Sequence, residues 1–179
     1  LGQISDETRQ LLIANSLDKI KPEVEPNAHA RAAAGYALSI LGDPRPGVGV
    51  KDGVPDIVWV EIPAGPFIMG SDSNIDPDTY EDELERREVT SGRFYIALHS
   101  TTNAQFQAFI DAGGYDNPKY WTKKGWQWKL HLDRREPAYF DDPQYNIVNY
   151  PVNGTAWYEA YAFACWLDDV LQDRPDPTM

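Results

Sequence analysis

The chain has 179 residues, 42% of them hydrophobic, and a formal net charge of −12 at pH 7. Its six Trp, ten Tyr and six Phe provide enough apolar surface for a packed core, which argues against a disordered chain. The acidic charge argues against a nucleic-acid partner, because a phosphate backbone is bound by Lys and Arg. No apolar run approaches the roughly 20 residues of a membrane-spanning helix, so we expect no membrane segment.

Two helices are predicted within residues 1–42. Ser5 can cap the first helix, which presents one apolar face, and Asn27 can cap the second, which carries a stripe of small residues. Gly42, followed by Asp-Pro, is a strong stop signal because proline cannot continue a helix. We therefore predict a short helical segment over residues 1–42.

Residues 43–55 are rich in Pro and Gly and are predicted to be a linker without a regular strand ladder. A second domain is predicted over residues 56–179. It opens with two strand-like runs, 57–62 and 67–69, on either side of a Pro-Ala-Gly-Pro segment. This pattern predicts an antiparallel hairpin from Trp59 to Met69.

The next segment, residues 71–87, is polar and acidic. Its Asp72, Asn74, Asp76 and Asp78 alternate as calcium-binding oxygens do. The segment lacks the glycine that turns a calcium loop and the glutamate that closes it, so a solvated loop is favoured over a calcium site.

Two further helices are predicted at about 102–112 and 156–170, with mostly irregular chain between residues 115 and 150. Thr102 and Gln105 fit a capping box at the start of the first of these helices. The last helix is expected to present an apolar face of Ala160, Phe163, Ala164, Leu167 and Leu171. We also expect six aromatic side chains to be buried: Trp59, Phe67, Phe106, Phe109, Trp157 and Trp166.

The apolar face of the last helix needs a covering layer, because a large apolar face is costly to leave in water. We therefore expect another polypeptide segment to cover it. That segment is either the rest of the same gene product, after a nick or a disordered loop near Pro175–Met179, or a partner chain.

The residue types that carry chemistry are few. His29, His99 and His131 lie far apart on dissimilar elements, so we expect no shared metal site. Cys165 lies in an apolar helical setting, where a free thiol is usually an inert core residue, and a lone cysteine makes no internal disulfide. The residues themselves therefore predict no catalytic, cofactor-binding or metal-binding side chain in this chain, and a cytoplasmic location.

Many short segments occur in the order typical of one protein family. Their positions are 59–70, 87–89, 94–96, 101–106, 113–115, 120–121, 125–128, 150–160 and 165–167. In this order the chain resembles the N-terminal half of the formylglycine-generating enzyme family, also called the sulfatase-modifying factor family. The lead-in at 42–48 is similar to that of bacterial members that carry helical modules upstream.

The resemblance implies an α+β fold related to C-type lectins, incomplete here and preceded by the short helical segment. It implies that the decisive residues, including a copper-binding cysteine pair, belong to a C-terminal half that this chain lacks. Copper or calcium is accordingly expected only in that half, which is the expected partner, either separate or cleaved. Family members include oxidases of a cysteine in target sulfatases and variable binding proteins.

Besides a regulatory or interaction module docked behind a helical array through residues 1–42, two functions remain open at this point. The first is a non-catalytic member that binds a ligand or a protein and is completed by the C-terminal segment. The alternative is the N-terminal part of a formylglycine-generating oxidase that acts on a cysteine of a target sulfatase. Because this chain lacks the cysteine pair, the sequence does not decide whether the whole protein is an enzyme.

Overall fold

The computed structural model describes residues 4–172, and the expected nick near Pro175–Met179 lies outside them. The fold is α+β, with two compact units. The first comprises the chain up to Val58 together with the chain from His99 onward, and the second is Trp59–Leu98. The elements are α1 (Asp6–Lys19), α2 (Ala28–Leu41), β1 (Val50–Lys51), β2 (Val54–Pro55), β3 (Trp59–Ile62), β4 (Gly65–Met69), β5 (Arg87–Ser91), β6 (Phe94–Ala97), α3 (Asn103–Asp111), α4 (Lys123–His131) and α5 (Trp157–Gln172).

Helices α1 and α2 form an antiparallel pair, and both predicted caps are confirmed. The Ser5 hydroxyl accepts a hydrogen bond from the Thr8 amide, and the Asn27 side chain accepts from the amides of residues 29 and 30. Arg9 of α1 donates to the Leu41 carbonyl at the end of α2. Gly42 follows with a φ of 93°, a conformation that glycine adopts readily. No helix among residues 4–172 is both long and apolar enough to cross a membrane.

The segment that was expected to lack a strand ladder contains one. Strands β1 and β2 pair antiparallel around Asp52 and Gly53, which both have positive φ values of 50° and 76°. Two residues with positive φ are what a tight hairpin turn requires, and Asp-Gly is a preferred pair there. The Asp-Gly dipeptide was therefore a hairpin signal that the abundance of Pro and Gly concealed.

The hairpin predicted from Trp59 to Met69 is wrong. Strand β3 pairs with β6, and β4 pairs with β5, all antiparallel. Both pairs keep the same register, so 59–69 and 87–97 are the two arms of one long hairpin. The acidic segment 70–86 is its connecting loop. The Pro-Ala-Gly-Pro segment does not turn the chain: Pro63 and Ala64 interrupt one arm, where Pro63 lacks the N–H group of a ladder hydrogen bond, and Gly65 and Pro66 already belong to β4.

Helices α3 and α5, predicted at about 102–112 and 156–170, are confirmed. Helix α4 was missed, because residues 115–150 were expected to be mostly irregular. Thr122 caps α4 by accepting a hydrogen bond from the Gly125 amide. The core between these helices is dominated by aromatic rings, with Phe106 stacked on Phe163 at 5.3 Å between ring centroids. Its buried members are Phe106, Phe109, Tyr115, Trp121, Phe140, Ala162, Phe163, Trp166 and Leu167.

Three of the six aromatic burial predictions are confirmed and three are wrong. Phe106, Phe109 and Trp166 are buried, at 2% exposure or less. The other three are exposed: Trp59 at 39%, Phe67 at 46% and Trp157 at 66%. The confirmed rings lie on helices that pack on each other, whereas two of the exposed rings lie on the long hairpin.

The buried face of α5 is rotated from the predicted one. Phe163 and Leu167 are buried and Leu171 is half-buried, but Ala160 and Ala164 are exposed. Glu159, Ala162 and Trp166 complete the buried face instead. Phe163 and Leu167 pack within the chain's own aromatic core, and the further covering segment stays a prediction.

Candidate functional site

A knot of buried polar groups surrounds the N-terminus of α3. The capping box is confirmed: the Thr102 hydroxyl accepts from the Gln105 amide at 3.3 Å, and the Gln105 side chain accepts from the Thr102 amide at 3.0 Å. The Thr102 hydroxyl donates to the Val48 carbonyl at 2.8 Å. The Gln105 side-chain amide donates to the carbonyls of residues 47, 49 and 56 at 2.8–3.2 Å. Two side chains thus fix both the start of α3 and the segment 47–56.

An open groove with a volume of about 760 Å³ runs beside α3. From α3 and the residue after it the lining takes three alanines and three polar residues, and Asn146 and Val148 line it from another segment: the six are Asn103, Ala104, Gln107, Ala108, Asp111 and Ala112. This volume is within the range of small-molecule sites, which spans roughly 300–1,000 Å³. The one carboxylate in its lining is Asp111, which accepts a hydrogen bond from Gln107. The groove therefore offers an apolar surface with an amide-rich rim.

The segment 145–151 that forms one groove wall is bound to α3. The Asn103 side-chain amide donates to the carbonyls of Tyr145 and Ile147 at 2.8 and 2.9 Å. The backbone amides of residues 103 and 104 donate to the carbonyls of Tyr150 and Val148, both at 2.9 Å. The groove wall is thus a continuation of the α3 N-terminus, which the sequence patterns did not reveal.

Tyr115 and Glu159 form a buried acidic pair. The Tyr115 hydroxyl donates to one Glu159 oxygen, and the Ala156 amide donates to the other, both at 2.7 Å. Burial raises the pKa of Tyr115 far above its ordinary value, and the charge of Glu159 raises it further. Each Glu159 oxygen has a donor within the chain, so this pair holds the start of α5 against the core.

Exposed aromatic side chains line the outer face of α5. Trp157 stacks on Tyr161 at 5.4 Å between ring centroids, and Tyr158 packs on Trp128 at 5.6 Å. A hydrogen bond with the thiol of Cys165 raises the pKa of Tyr161. Cys165 itself is half-buried and not enclosed in the core, as the sequence had suggested it would be. The sequence contains no second thiol to pair with it.

The three histidines lie on separate parts of the first unit. His29 is exposed on α2, His99 is half-buried before α3, and His131 is exposed at the end of α4. Within residues 4–172, no group of three or more His, Cys, Asp or Glu side chains is arranged to hold a metal ion. That this chain supplies no catalytic, cofactor-binding or metal-binding side chain stays a prediction.

The acidic loop uses its carboxylates to bind its own backbone. Asp72 accepts from the amide and the side chain of Asn74, both at 2.9 Å, and Asp76 accepts from the Asp78 amide at 3.3 Å. The Asn74 amide is the main cause that lowers the pKa of Asp72. A small pocket beside Asp72 also includes the cationic Arg86. This arrangement is that of a polar loop with local turns.

Comparison with known proteins identifies relatives of this chain. Residues 50–172 match the model of the sulfatase-modifying factor enzyme 1-like domain. The chain is 29% identical to hercynine oxygenase of Mycolicibacterium smegmatis, over 67% of this chain and 31% of that protein. It is 29% identical to mouse formylglycine-generating enzyme, over 78% of this chain and 43% of that enzyme.

A third relative is named as a protein kinase and not as an oxygenase or a formylglycine-generating enzyme. The serine/threonine-protein kinase Pkn1 of Chlamydia trachomatis is 29% identical over 68% of this chain, and the match covers 18% of the kinase. The chain thus spans less than half the length of each of these relatives.

Proposed function

Because this chain belongs to the sulfatase-modifying factor enzyme 1-like family, we propose that it supplies the scaffold part of an oxidase domain. The substrate class is a cysteine in a target protein, which such a domain oxidises to formylglycine. The observation that carries this proposal is the match to a formylglycine-generating enzyme over 78% of this chain. The similarity to hercynine oxygenase supports oxidative chemistry of the same broad kind.

The described residues do not fit the copper ion that the family resemblance implies. Copper of this type is bound by soft thiolate ligands, and this chain has a single thiol, the half-buried Cys165. The residues that carry the oxidation therefore belong to polypeptide outside this chain. The role proposed for residues 56–172 is to hold that polypeptide in place.

The long hairpin provides the surface for this role. Its consecutive residues Phe67, Ile68 and Met69 are all exposed, as are Phe94, Tyr95 and Ile96 on the other arm. Neighbouring residues of a strand point to opposite faces, so both faces of this ribbon are apolar. A C-terminal half of a C-type-lectin-like domain, on the same polypeptide or as a separate segment, is the proposed cover.

A second candidate function is a binding domain without oxidation chemistry. It is favoured by the kinase relatives, whose names describe a different activity, and by the groove beside α3. The exposed Trp157–Tyr161 pair adds a surface suited to a protein or peptide ligand, because aromatic anchors often dominate such interfaces. In this case the groove and the aromatic pair supply the ligand surface, and the cover over the long hairpin carries no reactive centre.

The two candidates are separated by an assay on the natural polypeptide that contains this chain. The polypeptide is supplied with copper, oxygen, a thiol reductant and a sulfatase-derived peptide that contains one cysteine. Mass spectrometry and hydrazide capture then measure the aldehyde formed. We expect aldehyde with the cysteine peptide and none with its serine counterpart. Stable peptide binding without aldehyde would favour the binding domain. The absence of both aldehyde and peptide binding would contradict both candidates.

A further inference from the structure

Asn149 lies where the α1–α2 pair meets the groove wall. Its side-chain amide donates to the Gly35 carbonyl in the middle of α2 at 3.0 Å. The same amide donates to the Asp43 carboxylate, just after α2, at 2.8 Å. Asp43 is in turn bound by the Arg45 guanidinium at 2.6 Å. One side chain of the 145–151 segment therefore bonds both the middle of α2 and the residue Asp43 that follows it.

The packing around this contact is sparse. A cavity of about 330 Å³ lies beside it, lined by Ala32, Gly35, Arg45, Asn149, Tyr150 and Pro151. A side chain at position 35 would have no heavy atom within 4 Å of its first carbon. Helices α1 and α2 pack mainly on each other and contact the other described helices and strands little. The Asn149 side chain provides two hydrogen-bonded contacts from the segment 149–151 to α2 and to the residue just after it.

The contact is also incompletely satisfied. The Asn149 side-chain oxygen is buried and accepts no hydrogen bond from the described residues. A buried polar atom without a partner costs free energy, which offsets part of what the two donated hydrogen bonds contribute. Such a contact is held less firmly than the fully bonded Gln105 knot at the other side of α3.

The contact continues into the groove through neighbouring residues of the same segment. Tyr150 and Val148 accept hydrogen bonds from the first two backbone amides of α3, and Ile147 accepts from the Asn103 side chain. Val148 and Asn146 form a wall of the 760 Å³ groove. Hydrogen bonds at each end and the covalent backbone of residues 147–150 between them thus link Gly35 on α2 to the groove.

We propose that Asn149 couples the α1–α2 pair to the groove beside α3. A partner that displaces the helix pair breaks the bond from Asn149 to Gly35. The segment 145–151 then loses its support on the α2 side, and the groove wall at Asn146 and Val148 loosens. The helix pair acts in this way as a conformational control on the groove, because the position of the helix pair and the state of the groove both affect the Asn149 contact.

The coupling is tested by hydrogen exchange on the whole chain, using a double-mutant cycle. Leu38→Ala removes a fully buried side chain of α2 and so loosens the helix pair. With Asn149 present, we expect L38A to speed amide exchange about tenfold both in 28–41 and in 145–151, the size expected from losing about one hydrogen bond. In the N149A background, L38A should speed exchange in 28–41 but add no further change in 145–151.

Two further variants keep the test decisive. Arg9→Ala removes only the bond from α1 to the Leu41 carbonyl, and serves as the milder perturbation if L38A does not fold. Asn153→Ala is the matched control, because its exposed side chain bonds only the neighbouring Gly154 amide. N153A should leave both segments unchanged. Faster exchange in 28–41 with no response of 145–151 in the presence of Asn149, or an identical response with and without Asn149, would overturn the proposal.

Discussion

The helical body, residues 99–172, and the long hairpin, residues 59–97, use similar side chains to opposite effect. The helical body buries Phe106, Phe109 and Trp166 almost completely. The hairpin leaves Phe67 and Tyr95 about half exposed, at 46% and 54%. Aromatic content alone therefore does not say which rings form a core.

The difference follows from the geometry of the two elements. Helices α3 and α5 each turn one face toward the other, so their rings cover one another. A two-stranded ribbon has two faces and no further element of its own to pack against either face, so such ribbons rarely bury their side chains unaided. The exposed apolar residues of the hairpin are therefore suited to contact with further polypeptide.

The largest expected effect contrasts one ring from each region. Phe106→Ala should lower the free energy of unfolding by about 3–5 kcal/mol, because it leaves a cavity among stacked rings. Phe67→Ala, which removes a half-exposed ring, should cost less than about 1 kcal/mol. Urea denaturation of both variants measures this. Equal losses would remove the distinction between the regions.

The next effect concerns the polar knot of the helical body. Gln105→Ala should cost about 3 kcal/mol, because the carbonyls of residues 47, 49 and 56 lose their shared donor. Gln107→Ala is the control: it removes a half-buried side chain of the same helix whose hydrogen bond goes to Asp111, one turn on, and it should cost about 0.5 kcal/mol or less. Thermal unfolding of the two variants compares them. A neutral Q105A would show that the segment 47–56 is held by other contacts.

Glycine substitutions sharpen the contrast further. A side chain at Gly114 would overlap the ring of Phe109, so Gly114→Ala should cost about 1–3 kcal/mol. Gly92 in the long hairpin has open space around it, so Gly92→Ala should be close to neutral. Differential scanning calorimetry resolves the two. A neutral G114A would mean that the packing around Phe109 is looser than the structure indicates.

The smallest effect appears only in alkali. Burial and the charge of Glu159 raise the pKa of Tyr115, so the unfolded chain loses this proton before the folded chain does. This contribution to stability is complete below pH 10.0 and falls by about 1.4 kcal/mol per pH unit above it. Tyr115→Phe should flatten that slope in urea titrations between about pH 10 and 11. An unchanged slope would contradict the assignment.

Local signals in the sequence were reliable where one residue decides a local conformation. Ser5, Asn27 and Thr102 were predicted as caps, and each accepts the expected backbone hydrogen bond. The family was also identified correctly, since residues 50–172 match its model. These features depend on neighbouring residues or on the order of short motifs, both of which one sequence contains.

Features that depend on distant partners were less predictable. The strand pairing in the long hairpin joins residues up to 38 positions apart, such as Trp59 and Ala97. The Pro-Ala-Gly-Pro segment favoured a closer pairing that the structure does not have. Two contacts were likewise missed: those of Gln105 with residues 47–56 and of Asn149 with Gly35. Asn and Gln side chains are usually exposed, and nothing in the sequence marks the distant group to which a buried one is bonded.

The most direct test of the account compares side-chain exposure in two forms of the protein. Hydroxyl-radical footprinting measures the oxidation of individual side chains in the 179-residue chain and in a longer form that also carries the proposed C-terminal half. We predict strong oxidation of Phe67 and Tyr95 in the chain and protection of both in the longer form, with Phe106 protected in both. Equal oxidation of Phe67 and Tyr95 in the two forms would contradict the proposal that the long hairpin is a scaffold for further polypeptide.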